Sequence, residues 1–167
     1  MDDWGRLLAS DHRDALQFFF TGLSDVTSHE QVDRSSLLYN ASVLAHFSST
    51  STSSTTGVPT PVSLIDVFDR FVIDHSLRHD SQMMEMAAGH CLLFTGFFAD
   101  QMRTRFNLDW YGSLGAKFFA MAAMSSPQPD RQRMMWRMSD DFGLWRGRHL
   151  QLSRELRDLP YVFRKTA

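Results

Sequence analysis

The sequence predicts an all-α protein, a single-domain bundle of five to six helices around one buried central helix. Three observations carry that class. Apolar residues recur in steps of three and four along most of the chain. No stretch shows the period of two that a half-buried strand needs. One segment, Met83 to Ala99, is apolar on every side. Placed on a helical wheel, Met84, Ala87, Cys91, Phe94 and Phe98 share one side, with Met83, Met86, His90 and Phe97 beside them. Gly89 and Gly96 fall together on the remaining side. A helix apolar all round is a buried helix. Met86 to Ala99 holds fourteen uncharged residues, where a membrane span needs about twenty. Residues 86–98 are therefore expected to be almost inaccessible inside a bundle.

The elements follow in order. Trp4 to Leu8 opens with a short helical turn. Ser10 or Asp11 caps a helix to about Leu23, with Leu16, Phe19, Phe20 and Leu23 at helical spacing and Gly22 and Ser24-Asp25 weakening its end. A second helix runs from about Asp33 to Phe47 and turns Leu37, Leu38, Ala41, Leu44 and Ala45 inward. Ser48 to Thr56 is nine consecutive serines and threonines, followed by Gly57-Val-Pro-Thr-Pro61. Nothing there offsets the entropy of ordering, so residues 48–60 are expected to form a flexible loop. Ser63 caps a third helix, with Leu64, Phe68, Phe71 and Val72 inward, ending near His75–Leu77. The central helix then spans Asp80 to Phe106. Asn107-Leu-Asp109 is a turn, and Asp109 caps a fifth helix from Trp110 to Met124.

Pro127 and Pro129 break the chain before the most regular stretch. Met135, Met138, Phe142, Trp145, His149, Leu152, Leu156 and Leu159 alternate in steps of three and four without a miss. A helix from Asp130 to Leu159 would be about 45 Å long. Its seam has two readings, an ordinary bundle face or a coiled-coil contact between two copies. Gly143 and Gly147 lie one turn apart within it, each costing about 1 kcal/mol relative to alanine. Either a second helix approaches closely there, or the helix kinks. An overhanging stripe with Phe142 and Trp145 at its middle would be an exposed apolar patch of the kind that marks association. The expectation is a homodimer, with Met138, Phe142, Trp145, His149 and Leu152 as its contact.

Charge and cysteine usage narrow the setting. Net charge is −2 over 167 residues. Residues 1–30 hold six acids against Arg6 and Arg13, whereas residues 131–167 hold nine Lys/Arg against four acids. This asymmetry reads as solvated helix faces beside oppositely charged neighbours rather than as a nucleic-acid surface. The single cysteine, Cys91, falls in the most apolar stretch and reads as a small apolar residue in a reducing compartment. The first thirty residues show no signal peptide, so a cytoplasmic protein is expected. Asn40-Ala-Ser42 then matches a glycosylation sequon by chance.

Four segments resemble, in order, a family of uncharacterised bacterial helical proteins. They are Leu37-Leu-Tyr-Asn-Ala-Ser-Val-Leu-Ala-His-Phe47, Leu64-Ile-Asp-Val-Phe-Asp-Arg-Phe-Val72, Ala88-Gly-His-Cys-Leu-Leu-Phe-Thr-Gly-Phe-Phe98 and Trp110-Tyr-Gly-Ser-Leu-Gly-Ala-Lys-Phe118. The strongest part is Gly89, Gly96-Phe-Phe98, Tyr111 and Gly115. The resemblance implies a helical fold and a bacterial origin, and brings no activity or catalytic residue with it.

Several chemistries fail on the residues themselves. A carboxylate-bridged di-iron bundle needs two Glu-x-x-His motifs and two more glutamates. The chain has only Glu30, Glu85 and Glu155, none followed by histidine at the third position. His75 and His79 can share a helix turn but lack further ligands, and they suit a cationic helix end. Cys91 lies where a thiolate is disfavoured. Gly112-Ser-Leu-Gly115 lacks the strand and the spacing of a phosphate loop.

Two function classes survive. One is a non-enzymatic module for self-association or for binding a protein partner. The other is a binder of a small apolar ligand or haem-type cofactor in the bundle interior, with His90, His46 and Tyr111 lining the cavity. In the second reading His90 carries the chemistry; in its structural counterpart it is simply a core histidine hydrogen-bonded to a carbonyl or a tyrosine. No specific cofactor is indicated.

Overall fold

The hydropathy pattern becomes helices throughout the described part of the chain. The computed structural model describes residues 12–51 and 79–158. The elements are α1 (His12–Val26), α2 (Arg34–Ser51), α3 (Ser81–Leu92), a π-helical turn (Leu93–Phe97), α4 (Ala99–Met102), α5 (Leu108–Ser125), α6 (Pro129–Asp140) and α7 (Phe142–Asp158). The fold is all-α, and among the described residues no helix is long and apolar enough to cross a membrane. The expected helices at Trp4–Leu8 and Ser63–Leu77, and most of the Ser/Thr run, lie outside the described residues. The run's first residues do not form a loop, because α2 continues through Ser51. Serine and threonine are only moderately poor helix formers and can extend an established helix.

Backbone contacts group the chain into two compact units, one holding the described residues 12–51 and 151–158, the other residues 79–150. In the first unit α1 packs on α2. Its core draws on Ala15, Phe19, Leu23 and Val26 of α1, on Leu37, Ala41, Leu44 and Ala45 of α2, and on Leu152 and Leu156. Gly22 and Ser24-Asp25 do not end α1, which runs on to Val26. Asp33 starts α2 by accepting the Ser36 amide at 3.3 Å, as an N-cap carboxylate does. Asn40 of the sequon is fully buried, and its amide donates to the Ser36 carbonyl at 2.8 Å.

The second unit is built on the pair α3 and α5, with α6 against α5. Asp80 caps α3 by accepting from the Met83 amide at 3.1 Å. Asn107, not Asp109, caps α5, accepting from the Trp110 amide at 3.1 Å. Asp109 is thereby left in the first turn with its carboxylate outward. At one end of the α3–α5 pair the Ser81 hydroxyl donates to the Ala122 carbonyl at 2.8 Å. Along it, a Cβ placed on Gly115 would lie 2.7 Å from Cys91 Cβ and 2.6 Å from Phe142 Cζ. That glycine sets how closely three elements pack.

The central helix departs from expectation in two ways. It is not a continuous α-helix from Asp80 to Phe106. At Leu93 the hydrogen bonding widens to a π-turn, with the Phe98 amide donating to the Leu93 carbonyl at 2.9 Å. It is also not inaccessible along its whole length. Ala87, Ala88 and Cys91 through Gly96 are buried, but Met86 is 42% exposed, and Gly89, His90, Phe97 and Phe98 are half-buried.

The C-terminal seam differs as well. The long helix divides at Asp141, whose φ of −99° and ψ of 14° leave the helical basin. Gly143 and Gly147 are exposed, and a Cβ on either would meet nothing within 4 Å. No close approach explains them. Met135, Met138, Phe142, Trp145, His149, Leu152 and Leu156 are all buried in the isolated chain. The overhanging apolar stripe expected from their spacing therefore does not exist in the described residues. The seam is used within the chain.

Candidate functional site

The three expected ligand-lining residues are distributed over both units. His46 lies in the first unit and is exposed. His90 is half-buried on α3, its ring 6.1 Å from that of Phe94. Tyr111 is buried in an apolar cluster with Phe94, Ala99, Met102 and Leu108. Of the histidine pair, His79 is exposed and His75 lies outside the described residues. Among the described residues no group of three or more His, Cys, Asp or Glu could hold a metal ion.

The second unit has a polar centre that periodicity did not reveal. It surrounds the π-turn. A π-turn pulls backbone groups out of the α-helical ladder, and such turns are frequent where a side chain must be accommodated. Here Arg146 Nε donates to the Thr95 carbonyl at 2.8 Å, while its Nη1 donates to Asp109 Oδ1 at 3.1 Å. The Thr95 hydroxyl donates back to the Cys91 carbonyl at 2.6 Å. Two glycines make room for this side chain and its helix. A Cβ on Gly96 would stand 3.1 Å from both the Arg146 carbonyl oxygen and His149 Cβ, and one on Gly112 would stand 3.0 Å from Arg146 Nη1.

Among the described residues of this unit, Cys91 and His149 are enclosed groups whose protonation is shifted by burial. Desolvation by burial pushes the Cys91 thiol up to about 12, so it does not supply a thiolate at neutral pH. Burial lowers the His149 imidazole to about 3, so it stays neutral in the folded protein near pH 7. Neither group is poised for acid–base or nucleophilic work. Both serve packing, and Arg146 serves as a clamp.

The first unit offers a different kind of site. An open groove of about 490 Å³ is lined by Asp14, Gln17, Phe18, Thr21, Gly22 and Asp25 of α1 and by Leu152, Glu155 and Leu156. Its floor is apolar: Leu152 and Leu156 are buried, and Phe18 is half-buried with its ring edge-on to Phe19 at 5.3 Å. Gly22 lets Leu152 reach the floor, since a Cβ there would lie 2.8 Å from Leu152 Cδ1. The rim carries three exposed carboxylates, Asp14, Asp25 and Glu155, and among the described residues the lining contains no Lys or Arg. Sequence reasoning placed Leu152 at a dimer contact and treated Asp14 and Asp25 only as part of an acidic segment. The lining residues are separated by more than a hundred positions, and the acidic bias of the first thirty residues was the one available signal.

Comparison with protein-family models, with curated proteins and with solved structures finds no match to this chain.

Proposed function

We propose that the protein is a non-enzymatic interaction module whose first unit receives a segment of a protein partner in the α1 groove. The observation that carries this reading is the groove itself, an apolar floor open to solvent between exposed polar walls. Helix-in-groove recognition uses such a surface. The protonation states of Cys91 and His149 support its non-enzymatic part, because burial holds these two groups in unreactive forms near neutral pH. A lone buried thiol fits a reducing, cytoplasmic setting. The partner in this reading is a different chain, because the seam residues that motivated a homodimer contact are buried within the single chain.

A photo-reactive side chain placed at Thr21 in the groove, and separately at Arg133 in the second unit, tests the reading in cells. A protein adduct is expected from Thr21 and not from Arg133. The purified adduct partner should then bind the wild-type chain and lose affinity for Phe18→Glu. Equal binding by Phe18→Glu would remove the groove from the interaction.

A further inference from the structure

We infer that the occupant of the α1 groove is a basic amphipathic helix of about three turns. This inference rests on the interaction reading above and names the chemistry of the partner. The α1 wall is one stripe of a helix, with Asp14, Phe18, Thr21, Gly22 and Asp25 at steps of three and four. From Asp14 to Asp25 that stripe is about 16 Å long, at 1.5 Å per residue. Its ends are anionic and its middle is apolar or small. The facing wall repeats the arrangement, with Leu152 and Leu156 below and the exposed Glu155 above.

A ligand complementary to this surface places apolar side chains along one helical stripe and cations on its flanks. The apolar side chains lie on Phe18, Leu152 and Leu156, over the gap left by Gly22. Arginine or lysine on both flanks of the partner meets carboxylates on both walls of the groove. A neutral or acidic helix gains the apolar contact but faces three carboxylates with no cation among the described lining residues to offset them. Like-charge juxtaposition of that kind suppresses wrong partners and sets register. The openness of the groove also suits an elongated segment rather than an enclosed small molecule.

The test uses the full chain and two synthetic helical peptides that share one apolar stripe. One carries arginine and lysine on its flanks, the other glutamate. Fluorescence anisotropy of the labelled peptides reads affinity. The basic peptide should bind more tightly than the acidic one, and its affinity should fall with added salt. Asp14→Lys, Asp25→Lys and Glu155→Lys combined should weaken the basic peptide by about tenfold or more, as three exposed attractions become repulsions. All three positions are exposed, so the variant should stay folded, with a small loss of melting temperature because Asp14 lies in the first turn of α1, where a cation opposes the helix dipole. Thr21→Trp, a steric block inside the groove, should weaken both peptides.

Equal affinity for the two peptides, or binding that survives the triple reversal, overturns the inference. So does a concentration-dependent dimer that the triple reversal abolishes, because the groove then takes a second copy. A cross-linked partner that binds through an uncharged or acidic segment defeats the basic-helix inference and leaves the interaction reading standing. An absence of any groove-dependent partner defeats both.

Discussion

Gly115 and Gly89 lie on two packed helices, and the same substitution at each should move stability in opposite directions. A Cβ at Gly115 would press on Cys91 Cβ and Phe142 Cζ at 2.7 and 2.6 Å. Cys91 Cβ is one bond from backbone and has nowhere to retreat, so Gly115→Ala should cost about 1–3 kcal/mol or more by overpacking. At Gly89 nothing lies within 4 Å of the added carbon. Gly89→Ala should therefore gain up to about 1 kcal/mol of helix propensity. Chemical denaturation of the two variants checks both signs, and a destabilised Gly89→Ala would mean the surface there is covered. His149 gives a pH-dependent expectation. Its folded value of about 3 lies below that of an exposed imidazole, so below pH 6.5 the unfolded chain takes up a proton that the folded chain refuses. Stability should fall as the pH drops through that window, by about 1.4 kcal/mol per pH unit from this group alone. Comparing wild type with His149→Gln between pH 6.5 and 4.5, above most carboxylate titration, isolates the contribution. Identical slopes would show that His149 is solvated.

At the scale of elements, helix identity was legible and helix continuity was not. The starts of α2 near Asp33 and of α3 near Asp80 were legible and Pro129 marks the start of α6, whereas the cap of α5 was placed on Asp109 and is Asn107. The π-turn does not announce itself, because adding a residue to one turn leaves Leu93, Phe94, Phe97 and Phe98 apolar under either register. Only the packing partners choose the wider turn: Arg146 takes the Thr95 carbonyl, and Gly96 lets α7 come close. Arg146→Met keeps much of the alkyl stem and removes both hydrogen bonds. Hydrogen exchange should then quicken at the Phe97 and Phe98 amides, while α5 amides beyond its first turn stay protected. Arg146→Lys should restore little, since one ammonium does not reproduce the fork of donors that spans Thr95 and Asp109. Unchanged exchange in Arg146→Met would show that the turn holds without its clamp. The glycines of α7 teach the complementary lesson. Gly143 and Gly147 looked like contact residues on a seam, but the break falls at Asp141 and both glycines face open space. Periodicity locates a buried stripe and is silent about the opposite face.

Across the whole molecule, the seam from Met135 to Leu156 was read correctly as a line of apolar side chains, while its partner was not legible. The same step of three and four serves a bundle face and a coiled-coil face alike, and only the isolated chain's burial separates them. The groove escaped for another reason: its walls come from α1 and from residues 152–156, and nothing local links Asp14 to Glu155. Two tryptophans on α6 and α7 put the intrachain seam to the test. Trp145 is 1% exposed and Trp136 is 43% exposed. Trp145→Glu would place a carboxylate in the core and remove a large apolar side chain, a combination that costs several kcal/mol and can exceed the whole stability of a domain. Trp136→Glu exchanges one partly solvated side chain for another and should cost under about 1 kcal/mol. Thermal melts followed by circular dichroism should show Trp145→Glu unfolded or strongly destabilised and Trp136→Glu close to wild type. Sedimentation equilibrium then completes the argument. If Trp145→Glu instead keeps the wild-type melting curve and changes only the mass, from two chains to one, the seam is a contact between copies and the burial within one chain is wrong.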